Sequence, residues 1–471
     1  MEKASQETDL GEEERKAQAN HNNKVLRFFF CYTRDMKKET AMEIYKGNII
    51  TSKSFEKLEC KKGYIFVKDG IIEDIRESLP EGFEGTVTDY GDNIIIPAFS
   101  DLHMHAPQYV ERGIGMDALL FDWLNNYTFP QESRFKDINY AKAIYPQLIR
   151  DLLRMGTMHI SFFTTIHEEA CDLLFELCKE AGLYAYLGIT NMDSNSPDYY
   201  VDTTEESLHK TERFIQKHLG HERVKPILTP RFAPTCSAPL MKGLGDLAKK
   251  YDLGVQTHLV ESIAEAAWSK ELFPDCASDG EIYEKYGLLQ GSGPKIFAHV
   301  IFPTEVEERI LKEYDGISVH CPDATANVTA GIMPAKLMHE KGLPLAIGSD
   351  VGGGHYLGIY RQIATAVQFS KLKEFFEEGN KRLVFANAFH MATAEGGRAF
   401  GKVGKLEKGY AFNALVIGGL QDKGTTITPI EELERFCYIG DDRNILVRYL
   451  RGKKIDPEEI YRILLKYCEE N

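Results

Sequence analysis

The sequence has 471 residues, of which 43% are hydrophobic and 27% are charged, so the chain has enough apolar material for a large buried core. Its 56 basic and 71 acidic residues give a net charge of −15, which argues against broad nucleic-acid binding, because no excess of Lys and Arg exists to neutralise phosphates. No apolar run approaches the roughly 20 residues that cross a bilayer, and the polar N-terminus lacks the apolar segment of a secretion signal. We therefore expect a cytoplasmic protein that binds neither membranes nor nucleic acid.

Cysteine usage restricts the metal ligands that the chain can offer. The nine cysteines are scattered between Cys31 and Cys468, and no two of them form a C-x-x-C pair. This pattern argues against both a disulfide framework and a thiolate zinc site. If the chain binds a metal ion, His and carboxylate side chains must hold it.

The N-terminal part of the chain divides into a polar tail and a β-rich unit. Residues 1–24 are charged and lack periodic hydrophobic residues, which is typical of a disordered tail. Over residues 25–93, the β-like runs RFFFCY, MEIYKGNIIT and GYIFVKDGIIEDI are separated by Lys-Gly, Asp-Gly and Pro-Glu-Gly turn signals. This pattern predicts the N-terminal part of a small antiparallel β-domain.

Residues 94–401 follow a different rhythm, in which short apolar runs alternate with longer amphipathic ones, as in a parallel sheet with helical crossovers. One amphipathic run, EEACDLLFELCKEAG, places Ala170, Leu173, Leu174 and Leu177 on one helical face, and its last residue, Gly182, lies in the C-cap region. Eight such strand–helix units favour a (β/α)8 TIM-like barrel. The eight candidate strands are NIIIPAFSDLHMH, MHISFFTTI, AYLGITNMD, VKPILTPRF, LGVQTHLVE, KIFAHVIF, GISVHCPDA and LPLAIGSD.

β-like runs return over residues 402–471, in AFNALVIGG and ILVRYLRGKKI, and a helix-like segment, DPEEIYRILLKYCEE, ends the chain. The simplest α/β architecture is therefore a barrel with a small β-sandwich-like domain. We predict that this domain is built from both chain ends, with the terminal helix attached to its C-terminal part.

Polar side chains stand at the predicted C-terminal ends of the strands, where the reacting groups of a (β/α)8 barrel lie. His103 and His105 end the first strand, and because alternate residues point the same way, one ion can take both imidazoles. The fifth, sixth and eighth strands end in His258, His299 and Asp350. Each residue alone could be an ordinary polar residue, but four of only 14 histidines at three strand ends indicate a metal site.

Imidazole and carboxylate donors without thiolate suit Zn²⁺ or Fe²⁺ better than Ca²⁺ or Mg²⁺. Such an ion lowers the pKa of a bound water, and Glu261, three residues after His258, could then move protons between water, substrate and leaving group. The alternative for Glu261 is a surface residue that opens a helix. Barrels that hold two metals commonly place a bridging lysine at the end of the fourth strand. Here Lys225 begins that strand and Arg231 ends it, which favours one ion.

Several motifs together resemble a known superfamily. PAFSDLHMH, THLVE, AH and GSD, in this order, are similar to the motifs of the amidohydrolase superfamily, in its mononuclear deaminase branch. HAPQY, TFPQESRF, TPRF and YIGDDRNI are more specific and resemble the guanine deaminases of that superfamily, and the similarity covers nearly all of residues 45–455. The resemblance implies zinc-dependent hydrolysis of guanine to xanthine and ammonia, by attack of a metal-activated hydroxide on C2. It also implies a homodimer.

The resemblance implies a role for each matching residue near the metal. Glu261 matches the proton shuttle, and His299 matches the histidine that contacts or polarises the hydrolytic water. Asp350 is expected to accept a proton from that water as well. The residues that match the ligands of a single zinc ion are His103, His105, His258 and Asp350.

The substrate site is expected beside the metal. Gln108 and Arg231 match side chains that hydrogen-bond the purine edge, and Phe232 matches a residue that packs beside the ring. An amide and a fixed cation also suit a lactam-bearing purine, although Arg231 could pair with a nearby carboxylate and Phe232 could be ordinary core. The metal-site residues that are also expected to contact the substrate are His105, His258, Glu261 and Asp350.

An aromatic loop follows the first strand. Trp123, Tyr127 and Phe129 in this loop either cover the pocket or pack in the core, and the sequence alone favours neither.

Some residues depart from the family pattern. Ala98 replaces the usual Gly after Pro97, the second strand begins GTMH, and Asn413 stands where Asp is common. The seventh-strand loop reads HCPDATAN where a Ser-Asn pair is commoner, with Asp323 to Asn327 as the differing stretch. This loop lies near the predicted pocket, so another purine, a pterin or a chlorinated triazine stays open as the substrate. A non-catalytic scaffold is the third reading, although every expected ligand is present.

Overall fold

The computed structural model describes residues 42–422, 424 and 426–471. The predicted tail of residues 1–24 and the predicted strand RFFFCY lie outside the described residues. Across the described ranges, no helix combines the length and the apolar character that a membrane span requires.

One mixed sheet of seven strands combines the two ends of the described chain. Its strands are β1 (Glu43–Ser54), β2 (Lys57–Lys68), β3 (Ile71–Arg76), β4 (Val87–Pro97), β15 (Ala414–Ile417), β16 (Ile445–Leu450) and β17 (Lys453–Ile455). They lie in the order β17-β16-β15-β4-β1-β2-β3, and the antiparallel pair β4–β15 joins the N-terminal strands to the C-terminal ones. Strands from both ends thus pair directly, in one sheet rather than in the two facing sheets of a sandwich.

Both faces of this sheet are apolar at its centre. Because successive strand residues point to opposite faces, Ile95 joins a buried cluster with Phe412 on one face. Ile94 and Ile96 join the main core, together with Leu415, on the other face. The uninterrupted isoleucine run of β4 therefore reflects burial on both sides rather than a position inside the barrel.

The strands between these two groups build the barrel region. They are β5 (Phe99–His105), β6 (Thr157–Phe163), β7 (Tyr184–Gly188), β8 (Thr190–Asn191), β9 (Val224–Pro226), β10 (Thr229–Pro230), β11 (Val255–Leu259), β12 (Lys295–His299), β13 (Ile317–His320) and β14 (Leu345–Ile347). Two parallel four-stranded sheets, β5-β6-β7-β9 and β11-β12-β13-β14, form there, and β8 pairs with β10. A parallel bridge between Leu228 and Val255 links the two sheets. Each predicted barrel strand overlaps a strand of the structure, and the predicted alternation of parallel strands with helices is confirmed.

The first predicted strand, NIIIPAFSDLHMH, is divided between two sheets. Its residues up to Pro97 belong to β4, and only Phe99 onward belongs to the barrel region. The backbone changes partner at Ala98, because the N–H of Ala98 donates to the carbonyl of Asn413, whereas the N–H of Phe99 donates to that of Gly156. The continuous apolar run concealed this change of sheet.

Helices alternate with the barrel strands and cover the outside. The longer ones are Ile138–Arg154, Glu168–Glu180, Thr204–His218, Ala238–Tyr251, Ile263–Leu272, Glu305–Glu313, Ile359–Phe376, Pro429–Ile439 and Pro457–Glu470. The shorter helical segments are Leu120–Trp123, Phe129–Ser133, Asp279–Lys285, Pro322–Asn327, Ala335–Glu340, Phe385–His390 and Gly396–Arg398, with 3₁₀ turns at Ala106–Glu111, Arg134–Lys136, Ala233–Thr235 and Asp442–Asn444 and π-helical turns at Leu124–Thr128 and Met391–Glu395. The predicted helix at 168–182 is confirmed, since Ala170, Leu173 and Leu177 are buried and Gly182 follows with a φ of 75°.

Two of the departures from the family pattern contact each other. The Nδ2 of Asn413 lies 2.8 Å from Nε2 of His159, and the Nδ1 of His159 lies 3.0 Å from Oγ of Ser100. The Oδ1 of Asn413 accepts from the N–H of Arg451 at 2.8 Å, so its amide can only donate towards the histidine. Burial lowers the pKa of His159 to about 3, so the ring is a neutral acceptor and suits an amide better than a carboxylate.

We expect replacement of Asn413 by Ala to reduce the free energy of unfolding by about 1–3 kcal/mol, because it leaves the buried imidazole nitrogen of His159 without a partner. Chemical denaturation measures the effect, with Gln290→Ala on the surface as the control. In a double-mutant cycle, His159→Ala and Asn413→Ala should couple by at least about 0.5 kcal/mol. Strictly additive effects would show that the two departures are independent.

Candidate metal and substrate site

Four side chains converge where the barrel strands end. His103 and His105 alternate along β5, His258 lies in β11, and Asp350 follows β14. One ligand atom of each side chain can be chosen so that the four atoms all lie within 4.8 Å of one another, and all four residues are buried. The structure thus brings together the four residues that the sequence predicts as metal ligands.

The distances in this cluster fit a single small cation. Nε2 of His103 lies 3.2 Å from Oδ1 of Asp350, and Nε2 of His105 lies 3.2 Å from Nε2 of His258. Ligand atoms about 2.0–2.1 Å from a tetrahedral ion are about 3.3–3.4 Å apart, which is close to both separations. Nε2 of His103 is buried without a hydrogen-bond partner among the described residues, as a metal ligand would be.

Neighbouring backbone orients the ligands. Nδ1 of His258 lies 2.5 Å from the carbonyl oxygen of Arg231, so Nδ1 donates its proton there and Nε2 keeps its lone pair for an ion. The approach of the strand β14 to β5 requires Gly348, because a Cβ there would lie 2.9 Å from Cβ of His103. Asp101 accepts from the N–H groups of His103 at 3.2 Å and Ser349 at 2.9 Å, and so ties the two strands together.

Glu261 and His299 lie beside the ligand cluster. Nε2 of His299 lies 3.6 Å from Oε2 of Glu261 and 3.8 Å from Oδ2 of Asp350. Glu261 is buried and precedes the helix, which begins at Ile263 with Ser262 as its N-cap, so its reading as a surface residue opening a helix is wrong. A carboxyl, an imidazole and a carboxylate therefore face one another over a distance that a water molecule can bridge.

Burial controls ionisation throughout the cluster. It raises the pKa of Glu261, which Asp350 raises further, to about 8, and it raises the pKa of Asp350 to about 8. It lowers the pKa of His103 to about 3 and that of His258 well below its usual range. The imidazoles are therefore neutral, which is the form that binds metal.

Several of the strand ends carry strained backbone. Val260, His299, Val300 and Asp350 have φ values of 44°, 74°, 50° and 47°. Positive φ is uncommon in residues other than glycine, and it is a genuine outlier in β-branched valine. Such strain clusters at functional sites, and here it occurs where the chain turns to present Glu261, His299 and Asp350.

The same strand ends open on one cavity. Eight of the nine predicted site residues line it, and His103 lies in the ligand cluster beside it. The predicted residues that line the cavity are His105, Gln108, Arg231, Phe232, His258, Glu261, His299 and Asp350. Its remaining wall is largely apolar and consists of Leu120, Phe121, Trp123, Leu124, Val328 and Gly353, together with the buried Glu265.

Gln108 and Arg231 share a partner that sequence reasoning missed. Nε2 of Gln108 donates to Oε1 of Glu132 at 2.6 Å, and Nη1 of Arg231 donates to Oε2 of Glu132 at 2.7 Å. Arg231 therefore makes the carboxylate pair that was the alternative to a binding role, and it also lines the cavity. Glu132 lies inside the TFPQESRF motif, but nothing in its chemical type signals a fully buried carboxylate.

The aromatic loop has a divided role. Trp123 lines the cavity, and its Nε1 donates to the carbonyl oxygen of Ile114 at 3.2 Å. Phe129 is buried and lies 5.1 Å from the guanidinium of Arg231. Tyr127 is exposed. One residue of the three thus faces the pocket, one supports the arginine from the core, and one points to solvent.

The unusual seventh-strand loop supports the pocket from behind. Asp323 accepts from Nε2 of Gln362 at 2.9 Å, and Nδ2 of Asn327 donates to the carbonyl of Gly353, a cavity residue, at 2.7 Å. Asp323 and Asn327 are not among the residues that line the cavity.

Comparisons with known proteins agree with this geometry. Residues 94–455 match the amidohydrolase family. A guanine deaminase from Dictyostelium discoideum is 32% identical over 452 residues, which cover 89% of this chain and 99% of that protein. A crystal structure of guanine deaminase from C. acetobutylicum with bound guanine superposes with a TM-score of 0.85 at 42% identity, covering 88% of this chain and 100% of that one.

A more distant structure shows how widely the fold is shared. Triazine hydrolase from Arthrobacter aurescens superposes with a TM-score of 0.76, covering 90% of this chain and 99% of that chain, but it is only 16% identical. It therefore shows the fold alone. By the family match and the relatives above 30% identity, the chain belongs to the amidohydrolase family and, within it, groups with the guanine deaminases.

Proposed function

We propose that the protein catalyses the hydrolytic deamination of guanine to xanthine and ammonia. The observation that carries this proposal is that three of the four candidate ligands and the pair Gln108 and Arg231 line the same cavity. Relatives named as guanine deaminases support it, and both match this chain over nearly the whole of their own length.

We further propose that the cluster of His103, His105, His258 and Asp350 holds one divalent ion per subunit, Zn²⁺ or else Fe²⁺. The donor set of three neutral imidazoles and one carboxylate suits these ions. Such an ion supplies an acidified water at neutral pH and polarises the group under attack.

The protein's own residues would carry the protons. In the reaction, a C2–O bond forms, the C2–N bond to the exocyclic amine breaks, and the amine leaves as ammonia. Glu261 takes a proton from the attacking water and returns it to the departing nitrogen, a task that suits a carboxyl whose pKa lies near neutrality. His299 contacts the water from the other side, and Asp350 is a second acceptor for its proton.

The polar and apolar side chains that line the cavity would recognise the purine ring. Arg231 and the amide of Gln108 hydrogen-bond the lactam edge of the purine, and Phe232 packs beside the ring. His105, His258, Glu261 and Asp350 complete the contact surface on the side of the reacting carbon. A site built from such donors rejects analogues that leave them unpaired.

The finer architecture is part of the proposal. We propose that the barrel predicted over residues 94–401 is closed and begins at Phe99, since the N–H of Asp350 donates to the carbonyl of His103 at 2.8 Å across the open edges of the two sheets. The described residues of the β-domain that the sequence predicts over 25–93 and 402–471 would form an appended domain, whose two parts meet where β4 pairs with β15. A homodimer in the cytoplasm completes this proposal.

Replacement of Glu261 by Gln should reduce kcat by about 100-fold or more, because the amide cannot move the proton. Release of xanthine and ammonia from guanine measures the rate, and the metal content should stay unchanged. Glu307→Gln, which alters a buried carboxylate in the N-terminal cap of helix Glu305–Glu313, is the matched control and should keep its activity. Turnover of the unaltered protein no higher than that of Glu261→Gln would overturn the proposal.

Native purification should yield about one transition-metal ion per chain by elemental analysis, and chelation should lower the melting temperature, because the ion binds only the folded state. His258→Ala should lose the ion, since it removes one of four ligands. His218→Ala, a buried histidine that pairs with Asp172 elsewhere, should keep it. A natively purified protein without any transition metal would favour the non-catalytic scaffold instead.

Replacement of Arg231 by Ala should abolish activity on guanine while sparing any heterocycle that lacks the lactam edge. A screen of purines, pterins and chlorinated triazines on the unaltered protein and on this variant makes the comparison, with the exposed Arg309→Ala as the control. If the unaltered protein hydrolyses a triazine faster than guanine, the alternative substrate class wins.

A further inference from the structure

Glu132 contacts both arms of the proposed purine-recognition pair, Gln108 and Arg231. Its side chain is 0% exposed and does not line the cavity. It accepts from Nε2 of Gln108 at 2.6 Å and from Nη1 and Nη2 of Arg231 at 2.7 and 3.2 Å. Its Oε1 also lies 4.0 Å from Nδ1 of His105, so the carboxylate acts on a ligand through the side chains around it and not by direct contact.

The first consequence concerns charge. Arg231 is buried, and a buried cation costs several kcal/mol unless a counter-charge lies beside it. Glu132 supplies that charge in a two-point contact, the geometry that guanidinium and carboxylate prefer. The recognition end of the cavity thus holds one positive and one negative charge and is neutral as a unit.

A second buried carboxyl lies nearby but does not take over this task. Burial and the neighbouring Glu132 raise the pKa of Glu111 to about 8, so at pH 7 it is mostly uncharged. The side chain of Thr128 lies beside this carboxyl and carries no charge. The counter-charge of Arg231 is accordingly Glu132.

The second consequence concerns the orientation of an amide. Glu132 accepts from Nε2 of Gln108, and the N–H of Gly352 donates to Oε1 of Gln108 at 3.0 Å. The side-chain amide of Gln108 therefore cannot flip by 180°, because its nitrogen and its oxygen would then both lose their partners. One N–H and one oxygen lone pair of this amide are then presented to a ring in fixed positions.

We propose that Glu132 is a positioning residue that sets the charge specificity of the cavity: it cancels the charge of Arg231, so that a neutral purine is accepted and an anionic purine is disfavoured. The proposal rests on the proposed function for the identity of the substrate as a neutral lactam purine. It goes further in assigning the rejection of anionic rings to a residue that touches no ligand.

The test compares binding of two purines that the reaction does not consume. Hypoxanthine is a neutral lactam purine without the 2-amino group, and urate is an anion at neutral pH. Isothermal titration of the zinc-loaded protein gives the ratio of their dissociation constants. We expect the unaltered protein to prefer hypoxanthine, and Glu132→Gln to shift the ratio towards urate by about tenfold or more, because the guanidinium then lacks its counter-charge.

Three further variants make the result specific. Glu132→Asp keeps the charge and should keep the preference for hypoxanthine, even if both purines bind more weakly. Glu132→Gln combined with Arg231→Gln removes both charges and should lose the gain in urate binding. The control Glu307→Gln removes a buried carboxylate in the N-terminal cap of helix Glu305–Glu313 and should leave the ratio unchanged.

Arg231→Gln alone examines the pair from its other side, and it keeps the test decisive if Glu132→Gln fails to fold. This variant leaves the carboxylate without its cation and should shift the ratio away from urate. An unchanged ratio in either single variant overturns the proposal. Binding ratios do not depend on turnover, so a protein that shows these shifts but does not deaminate guanine would overturn the proposed function alone.

Discussion

The pairing of β5 with the chain that follows β14 is the contact on which the site depends. Two backbone hydrogen bonds make it, from the N–H of Asp350 to the carbonyl of His103 at 2.8 Å and from the N–H of His105 to that of Val351 at 2.7 Å. Three of the four candidate ligands lie on these hydrogen-bonded residues, so strand pairing itself sets the distances between them. Gly348 permits the approach, because any side chain there would meet His103. The ligand cluster is therefore as rigid as the sheet edges that carry it.

Arg231 connects this cluster to the recognition end of the cavity. Its carbonyl accepts from Nδ1 of His258, and its guanidinium pairs with Glu132 above the ring of Phe129. A change in the position of Arg231, which follows β10, would therefore move a candidate metal ligand and a proposed substrate contact together. Because Glu132 also holds Gln108, which follows β5, the recognition end is tied to the strand that carries His103 and His105.

The strand ends and the convergence of the four candidate ligands could be predicted from the sequence, because strand alternation and the rare histidines carry that information locally. The partner of Arg231 could not, since the contact between Glu132 and Arg231 spans 99 residues and a glutamate after an aromatic loop usually faces solvent. The division of the first strand at Ala98 could not be predicted either. Both the end of β4 and the start of β5 are buried and need apolar residues, so the sequence shows no break between them. The positive φ values at Val260 and His299 likewise have no sequence signature, because neither residue is a glycine.

The electrostatics of the cluster argue for a cation independently of the ligand distances. Burial raises the pKa of Asp350 and Glu261 to about 8 and lowers that of His103 to about 3, and both shifts express the cost of charge in an apolar surrounding. A divalent ion among these groups would favour both the ionised carboxylate and the neutral imidazoles. Burying these polar groups together costs free energy without an ion, and binding the ion would offset that cost. At the other end of the cavity, Arg231 and Glu132 already compensate each other. The uncompensated charge of the site would then lie only beside the carbon under attack, where it stabilises the developing negative charge of the reaction.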